Sequence, residues 1–474
     1  MAAFVRMILS SVIVLFSFTV LHAADTQVTI PEIKYFQYKL DNGLRIIILE
    51  DHKIPMVNFA VWYNVGSIDE PEGITGISHL LEHSMFHGTN ALAKDDSWTV
   101  MKKVGGSNNA GTFYDYTTYY ETVPSAKLEL AVVFEADRMR NLNLVPDEFT
   151  REKNVVMQER RQSLEGNFFR FAMEEIQADA FQQHGLHHQI VGWMKDLEAI
   201  TLDDLKNYYT RYYAPNNAIV VISGDVKQKE ALTLVKKYFN DYKPQEIVRP
   251  AIVEPMQTSE RFKRIEKITN TPIVIMYNKI PAGNHKDQVA LSTLLTILVN
   301  DTNSRVNLKL KNEKQIIMQA FAYNLGLRDT GYAMIGLVAN ASKDAGRTDD
   351  QVLDEVKIAY DAEVKNLIEN GITDIELQKV KKDVIKSMVY AKKNTESNAE
   401  MIALSYLRYN EPDFYKKELQ WFNELTKEDI VKAAKNYLMP EQRTVGYIVK
   451  KTEPVVEEKK DTKTDTKKDG KKGK

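Results

Sequence analysis

The chain contains no cysteine among its 474 residues. Disulfides, iron–sulfur clusters, thiolate zinc sites and cysteine nucleophiles are therefore excluded, and a bound metal has to use histidine, aspartate or glutamate. The formal net charge is only -2 at pH 7, so no strong overall field favours nucleic acid as a partner. A hydrophobic content of 43% with 27% charged residues is typical of a globular protein, and the length suffices for two or more domains.

The N-terminal segment is the most apolar part of the chain. Arg6 precedes an apolar run over residues 8–21, and small residues follow at 23–24. This pattern predicts a secretory signal peptide and a periplasmic or secreted protein, with no integral membrane segment after cleavage. A membrane anchor is the alternative, although the run is short for a membrane span. A lipoprotein is excluded because there is no cysteine to acylate.

Two segments resemble each other at a distance of 225 residues. ITLDDLKNYYTRYYAPNNAIVVISGDV begins at Ile200, and LTKEDIVKAAKNYLMPEQRTVGYIVK begins at Leu425. Each segment predicts a helix with a threonine N-cap, then a proline and an apolar strand. A weaker echo joins two predicted helix starts, at Val145 and Ile372. The repetition predicts an α+β fold of two homologous domains, each a mainly antiparallel sheet packed with helices.

The domain limits are predicted from changes in composition. The segment YKPQEIVRPAIVEP is rich in proline and is typical of a linker. The C-terminal residues are lysine-rich, have little apolar content and predict a disordered tail. The predicted organisation is a signal peptide at 1–24, a first domain at 25–242, a linker at 243–258, a second homologous domain at 259–450, and the tail at 451–474.

The segment GISHLLEHSMFHGT, which begins at Gly76, carries the strongest chemical signal. His79, Glu82 and His83 occupy positions i, i+3 and i+4, so on a helix they share one face. Two imidazoles one turn apart can bind one Zn²⁺, and the glutamate between them can reach a water at the metal. An ordinary amphipathic helix with these residues on its surface is the alternative.

A catalytic zinc site needs a third protein ligand. The segment REKNVVMQERRQS offers Glu152 and Glu159, which lie seven residues apart and therefore on the same face of a helix. One of them can bind the metal while the other supports the ligands from outside the coordination sphere. The spacing alone leaves open which glutamate does which.

The H-x-x-E-H order and its surroundings resemble the inverted-zincin peptidases, the group of pitrilysin, insulin-degrading enzyme and the mitochondrial processing peptidase. The resemblance covers nearly all of the chain between the predicted signal peptide and tail. It includes VGGSNNAGTFYDYTTYYETV, which matches the family's edge strand, HGLHHQIVGWMKDLEAIT, which matches a turn before a helix, and the two homologous halves.

The resemblance implies a zinc metallopeptidase with one Zn²⁺ per chain and a defined set of site residues. Glu82 would act as the general base for water at the metal, and Glu152 would support the ligands. The strand with Asn109, Ala110 and Thr112 would pair with an extended peptide substrate, although an ordinary edge strand is the alternative. The implied metal ligands are His79, His83 and Glu159. Residues 25–242 would therefore form the zinc-binding catalytic domain, and the second domain at 259–450 would have no metal site.

Other histidines receive no ligand role from the resemblance. His87 follows His83 by four residues, but the family completes its metal site with a distant glutamate, so His87 is interpreted as structural. His184, His187 and His188 are interpreted as turn or surface residues.

The second half departs from the family pattern. It has no H-x-x-E-H motif, and Lys311 and Met318 stand where single-chain active members carry an arginine and a tyrosine that hold the substrate backbone. Lysine lacks the planar fork of arginine, and methionine donates no hydrogen bond. Two hypotheses follow: the chain is weak or inactive alone, or it forms a heterodimer with a homologous subunit that lacks the zinc motif and supplies the missing pair. A homodimer is the alternative assembly.

The favoured function is a secreted or periplasmic zinc metalloendopeptidase that hydrolyses bonds in unfolded peptides or small proteins. A catalytically weak or inactive peptide-binding or scaffold member of the same family is the second hypothesis, although all five residues of the zinc site and its supporting set are present. A mitochondrial processing subunit is disfavoured, because its presequence would be amphipathic and rich in Arg and Ser rather than continuously apolar.

Overall fold

The structure is a computed structural model that describes residues 32–89, 96–249, 252–267, 271–341, 346–391 and 394–451. The predicted signal peptide lies outside these residues, as does the predicted tail after residue 451. In the ranges described, no helix combines the length and apolar content that crossing a membrane requires.

The first half of the described chain contains six strands and the second half contains five. The elements of the first half are β1 Phe36–Lys39, β2 Arg45–Glu50, β3 Met56–Tyr63, α1 Ile77–Ser84, α2 Asp96–Lys103, β4 Ser107–Thr112, β5 Thr117–Pro124, α3 Leu128–Asn141, α4 Pro146–Arg160, α5 Phe168–Ala180, α6 Met194–Ala199, α7 Leu202–Tyr212, β6 Ala218–Gly224 and α8 Gln228–Phe239. Those of the second half are β7 Arg261–Lys267, β8 Ile273–Pro281, α9 Asp287–Leu295, β9 Ile317–Gly326, β10 Thr330–Ala339, α10 Asp349–Asn370, α11 Asp374–Ala391, α12 Thr395–Tyr409, α13 Phe414–Glu424, α14 Lys427–Tyr437 and β11 Arg443–Lys450.

Each half forms its own sheet. The first sheet has the strand order β1-β2-β6-β3-β5-β4, and the second has the order β7-β11-β8-β10-β9. All neighbouring strands are antiparallel except one parallel pair in each sheet, β2 with β6 and β7 with β11. The predicted α+β class with mainly antiparallel sheets is confirmed. β4 and β9 are edge strands, and β4 carries the predicted peptide-binding residues.

The predicted internal repeat is visible in the helix caps. Thr201 caps α7 and Thr426 caps α14, each through a capping box with an aspartate three residues later. A short turn that begins with proline then leads into the last strand of each sheet, β6 or β11. The repeated threonine, proline and apolar run therefore code for the same local structure twice.

The inner strands β2, β3, β6, β8, β10 and β11 are buried on both faces, which explains their continuous apolar runs. In β2, Ile46 and Ile48 pack into one apolar cluster with helices of the first half, while Ile47 and Leu49 face a second cluster on the opposite side. That second cluster contains Ile402 and its neighbours in α12, a helix from the second half of the sequence.

The second sheet receives a helix from the first half in return. Ala172, Ile176 and Ala180 of α5 pack with the β8 and β11 residues on one face of this sheet. The approach is close, because a Cβ added at Gly446 would lie 2.1 Å from the Ile176 side chain. Each half thus covers the outer face of the other half's sheet. Because α5 and α12 are exchanged in this way, each sheet packs with helices from both halves. The limits predicted for the two domains and the linker remain predictions.

Buried ion pairs join the two halves. Asp69, which is fully buried, accepts hydrogen bonds from Arg328 in the turn between β9 and β10 and from Arg249 in the predicted linker. Asp115, also fully buried, forms a two-bond pair with Arg408 of α12 at 2.7 and 2.8 Å. Because removing one partner of a buried pair leaves an uncompensated charge, these contacts hold the halves in one arrangement.

Candidate metal centre

The helix with the H-x-x-E-H motif is fixed at its N-terminus. α1 begins after Gly76, whose φ of 90° is in the left-handed region that glycine adopts most easily. The carboxylate of buried Glu70 accepts hydrogen bonds from the backbone N–H groups of Gly76 and Ser78, at 2.7 and 2.8 Å. These bonds satisfy donors that the first turn of a helix leaves unpaired.

The rest of the sequence of α1 sets its orientation. Ile77, Leu80 and Leu81 are fully buried in the core of the first half. His79, Glu82 and His83 therefore share the face toward α4, as their spacing predicts. On α4, Phe149 and Val156 are buried, which directs Glu152 and Glu159 to the same groove between the two helices.

Three predicted ligands meet in this groove. Ligand atoms of His79, His83 and Glu159 all lie within 4.8 Å of one another. Glu159 Oε2 is 3.8 Å from His79 Nε2 and 3.5 Å from His83 Nε2. The two imidazole rings are nearly perpendicular, at 79°, with centroids 4.7 Å apart. Two ring nitrogens and one carboxylate oxygen at these separations fit the ligand set that catalytic zinc uses.

Glu152 occupies the supporting position. Its Oε2 lies 3.5 Å from Nδ1 of His83, the ring nitrogen that faces away from Glu159. Its Oε1 lies 3.4 Å from Nε2 of His87, whose side chain is only 2% exposed. A carboxylate on the second nitrogen of a metal-binding imidazole fixes the orientation of the ring. The spacing left both glutamates open as ligands. The geometry puts Glu159 beside both candidate ligand histidines and Glu152 behind His83.

The predicted base lies at the edge of the same group. Glu82 Oε2 accepts a hydrogen bond of 2.8 Å from the hydroxyl of Thr112, at the end of β4. A cavity of about 540 Å³ opens here and is lined by His79, Glu82, Glu159 and Thr112 together with apolar residues of α5 such as Phe169. The base and the metal group therefore face the same space.

The protonation states follow from burial and from the carboxylates. Burial and neighbouring His83 lower the pKa of His79 to about 4, which leaves its imidazole neutral. For His83, burial acts in the opposite direction to Glu152 and Glu159, and the carboxylates raise its pKa to about 9. Hydrogen bonding to His83 lowers the pKa of Glu159 below its ordinary value. Burial raises the pKa of Glu82, and the bond from Thr112 opposes that rise.

The predicted substrate strand is only partly brought into the cavity. β4 pairs with β5 along one side and forms the edge of the sheet. Gly111 and Thr112 line the cavity, whereas Asn109 and Ala110 lie further along the strand and do not belong to the lining. Asn109 is exposed and Ala110 packs at the margin of the core.

The two residues that stand in place of the family's arginine and tyrosine, Lys311 and Met318, lie in the second half. Lys311 is exposed on a π-helical segment at 307–313, and Met318 is 46% exposed near the start of edge strand β9. Across the described ranges, the candidate metal group draws no ligand from this half. Neither residue lines the cavity beside the metal group.

The interpretation of the remaining histidines needs one correction. His184 and His188 flank a short turn at Gly185–His187, as predicted, but both are buried rather than on the surface. His184 Nε2 lies 3.2 Å from Asp329 of the second half, and His188 packs beside Glu70. The turn is covered by the other half, which a local sequence pattern does not reveal.

The sequence interpretation missed Arg160 and Glu174. The Arg160 side chain is 5% exposed and forms a two-bond ion pair with Glu174 of α5, next to the candidate ligand Glu159. A signal was present, because Arg160 follows Phe149 and Val156 on the apolar face of α4 at helical spacing. An arginine on a buried face needs a carboxylate partner.

Two models of one peptidase family match this chain. The family model described as insulinase, peptidase family M16, matches residues 45–192, and the model described as the peptidase M16 inactive domain matches residues 199–384. The first match contains the candidate metal group and the second covers much of the half that lacks it.

Individual relatives match most of the chain. A zinc protease, PqqE, of Helicobacter pylori is 30% identical over 88% of this chain and 93% of its own length. A crystal structure of a protease from Helicobacter pylori superposes with a TM-score of 0.81 at 30% identity, over 88% of this chain and 100% of that chain. The probable mitochondrial-processing peptidase subunit beta of Arabidopsis thaliana is 25% identical over 82% of this chain and 72% of its own length.

Proposed function

The chain belongs to peptidase family M16, and from this premise we propose that it is a secreted or periplasmic zinc endopeptidase that cuts extended peptides and works with a homologous partner subunit. One observation carries the proposal. The ligand atoms of His79, His83 and Glu159 converge within 4.8 Å, and Glu82 stands beside them with its carboxylate held by Thr112. This combination provides both a zinc site and a base.

The proposed chemistry divides between the metal and the protein. His79, His83 and Glu159 would hold one Zn²⁺ per chain, and the bound ion would supply Lewis acidity to the scissile carbonyl and to the attacking water. Glu82 accepts the proton of that water and later delivers it to the leaving amine nitrogen. Thr112 holds the carboxylate in place, and Glu152 fixes the ring of His83 so that its Nε2 faces Glu159.

The proposed substrate is an extended peptide chain. β4 is the edge strand next to the metal group, so its unpaired backbone groups can bond to a peptide added alongside it. Asn109, Ala110 and Thr112 are the proposed contact residues of this strand. Recognition through the backbone gives affinity with little preference for sequence, which suits a peptidase of unfolded chains.

The proposed partner is a homologous subunit without the zinc motif. Lys311 and Met318 replace the arginine and tyrosine that the family resemblance leads us to expect, while the metal set is complete. A relative is named as the beta subunit of a peptidase, which supports an assembly of more than one chain. The apolar N-terminal segment supports export.

The test is peptidase activity on a quenched, unstructured peptide. The chain without residues 1–24 would be assayed with zinc, alone and after capture with its native partners, beside Glu82→Gln. We expect one zinc per chain and activity that Glu82→Gln abolishes. The matched control is Glu129→Gln, a change at an exposed glutamate on α3 that pairs only with Lys237 and Tyr238 at the surface.

The outcomes separate the candidate functions. Activity that requires a captured chain lacking the zinc motif would support the heterodimer. Full activity of the chain alone would replace the heterodimer with a homodimer or a self-sufficient enzyme. Bound zinc without any Glu82-dependent activity would favour the second candidate, a peptide-binding or scaffold protein, for which the changes at Lys311 and Met318 are the supporting observation.

A further inference from the structure

Arg160 lies at a junction of three segments around the metal group. It is the last residue of α4 and directly follows Glu159. Nη1 and Nη2 of Arg160 donate to the two carboxylate oxygens of Glu174 on α5, both at 2.9 Å. Nη1 also donates to the backbone carbonyl of Gly192 at 2.6 Å. Both side chains are nearly completely buried, so the pair is shielded from water.

The contact with Gly192 reaches the other metal-bearing helix. Gly192 has a φ of +73°, and a Cβ built on it would lie 2.2 Å from the carbonyl oxygen of Thr75 and 2.3 Å from the nitrogen of Gly76. The next residue, Trp193, donates its N–H to the Thr75 hydroxyl at 2.9 Å. This segment is therefore packed directly against the residues from which α1 starts. Through Gly192, Arg160 is tied to the helix that carries His79 and His83.

Glu159 needs such an anchor because of its place in α4. It is the penultimate residue of the helix, and the chain continues as a single π-helical turn at Arg161–Glu165. Its own side chain is 45% exposed. Helix ends fray, and a π-turn interrupts the regular backbone bonds. Without a fixed neighbour, the end of α4 would hold its carboxylate loosely relative to α1.

We propose that Arg160 and Glu174 are positioning residues for the metal site, which set Glu159 at its distance from His79 and His83. The proposal rests on the zinc binding proposed above. It also assigns a role to the second half of the chain. Glu174 belongs to α5, and α5 packs on the second sheet through Ala172 and Ile176. The geometry of the zinc site is thereby coupled to the half that contributes no ligand.

The chain contains a matched control for this junction. Arg305 donates to both oxygens of Glu376, at 2.7 and 2.9 Å, and to the backbone carbonyl of Gly371 at 2.8 Å. It therefore makes the same three bonds as Arg160. It lies in the second half, and neither Arg305 nor Glu376 belongs to the candidate metal group. Loss of Arg305 removes equivalent bonds without touching the end of α4.

The experiment measures the zinc dissociation constant by competition with a chromophoric chelator, together with the melting temperature of the zinc-free protein. The full mature chain is compared with Arg160→Gln, Glu174→Gln and Arg305→Gln. Mutation of residues that support metal ligands from outside the coordination sphere typically weakens metal binding by about 10–100-fold. We expect Arg160→Gln and Glu174→Gln to weaken zinc binding at least about 10-fold. Arg305→Gln should lower the melting temperature while its zinc affinity stays within about twofold of wild type.

Each result decides a separate point. Wild-type zinc affinity in folded Arg160→Gln, or equal weakening in Arg305→Gln, would overturn the positioning role and leave the zinc site intact. Failure of the wild-type chain itself to bind zinc would overturn the zinc site and the proposed function. If Arg160→Gln does not fold, the gentler Glu174→Gln variant, which keeps the shape of the side chain, gives the decision by the same measurement.

Discussion

Replacement of Thr112 by valine tests whether the hydroxyl acts on the base or only belongs to a substrate-binding strand. Valine has the shape of threonine but cannot donate the 2.8 Å hydrogen bond to Glu82. Hydrogen bonds to charged groups contribute about 1.5–3 kcal/mol. A loss of that size in the transition state corresponds to a decrease in kcat of about 10- to 150-fold. KM should change by less than about threefold, because the strand backbone remains.

The assay is steady-state kinetics on the quenched peptide, in whichever preparation shows Glu82-dependent activity, with the zinc content measured in parallel. Thr112→Ser keeps the hydroxyl and should retain kcat within about threefold. Thr117→Val is the matched control, because Thr117 is the cross-strand neighbour of Thr112 and donates to the Val65 carbonyl instead. It should lower stability and leave kcat unchanged. A rise in KM with normal kcat in Thr112→Val, or equal losses in both valine variants, would refute the reasoning.

Three further changes test the scaffold. Gly192→Ala should lower the free energy of unfolding, measured with urea, by about 3 kcal/mol or more. The positive φ of this residue strains any side chain, and the added Cβ would lie 2.2 Å from the carbonyl oxygen of Thr75. Ile402→Ala should cost about 2–5 kcal/mol in the same assay, because this fully buried residue covers the first sheet. Burial raises the pKa of Glu70 to about 8, so between about pH 4.5 and 8 the folded chain keeps a proton that the unfolded chain releases. The free energy of unfolding should therefore fall as the pH rises through this range. Glu70→Gln should flatten that decline, which urea unfolding midpoints across the same range would measure.

Each of these changes has a control in the chain. Gly73→Ala shares a positive φ of +85° but has no atom within 4 Å of the added Cβ, so it should cost clearly less than Gly192→Ala. Ile375→Ala, at a residue that is 81% exposed, should cost less than about 0.5 kcal/mol. Glu72→Gln, at an exposed glutamate, should keep the wild-type pH dependence. Equal effects in a variant and its control would contradict the corresponding prediction.

The metal group could be predicted from the sequence because its geometry is local. The spacing of His79, Glu82 and His83 places them on one helix face, and the seven-residue spacing places Glu152 and Glu159 on another. The family resemblance implied that the two helix faces meet. The distances between their side chains are known only from the structure. Which glutamate is nearest to both histidines is a property of helix packing, on which spacing within one helix carries no information.

The contacts that the sequence did not predict are long-range in sequence or involve a side chain from a second element. The hydroxyl of Thr112 reaches Glu82 only because β4 ends beside α1. The apolar faces of α5 and α12 could be predicted from the sequence, but an apolar face does not identify the sheet that packs against it. His184 and His188 were interpreted as turn or surface residues for the same reason, since the elements that bury them come from elsewhere in the chain.

The exchange of α5 and α12 between the halves has a consequence for biosynthesis. The chain emerges from the ribosome from its N-terminus, and α12 begins only at Thr395. Until then, Ile47, Trp62 and Val221 of the first sheet lack the α12 residues that pack against them. The first sheet therefore exposes an apolar face until α12 has been synthesised, and exposed apolar surface of this kind is prone to aggregation. Synthesis of α12 near the C-terminal end of the sequence is therefore the event that completes the apolar core on this face of the first sheet.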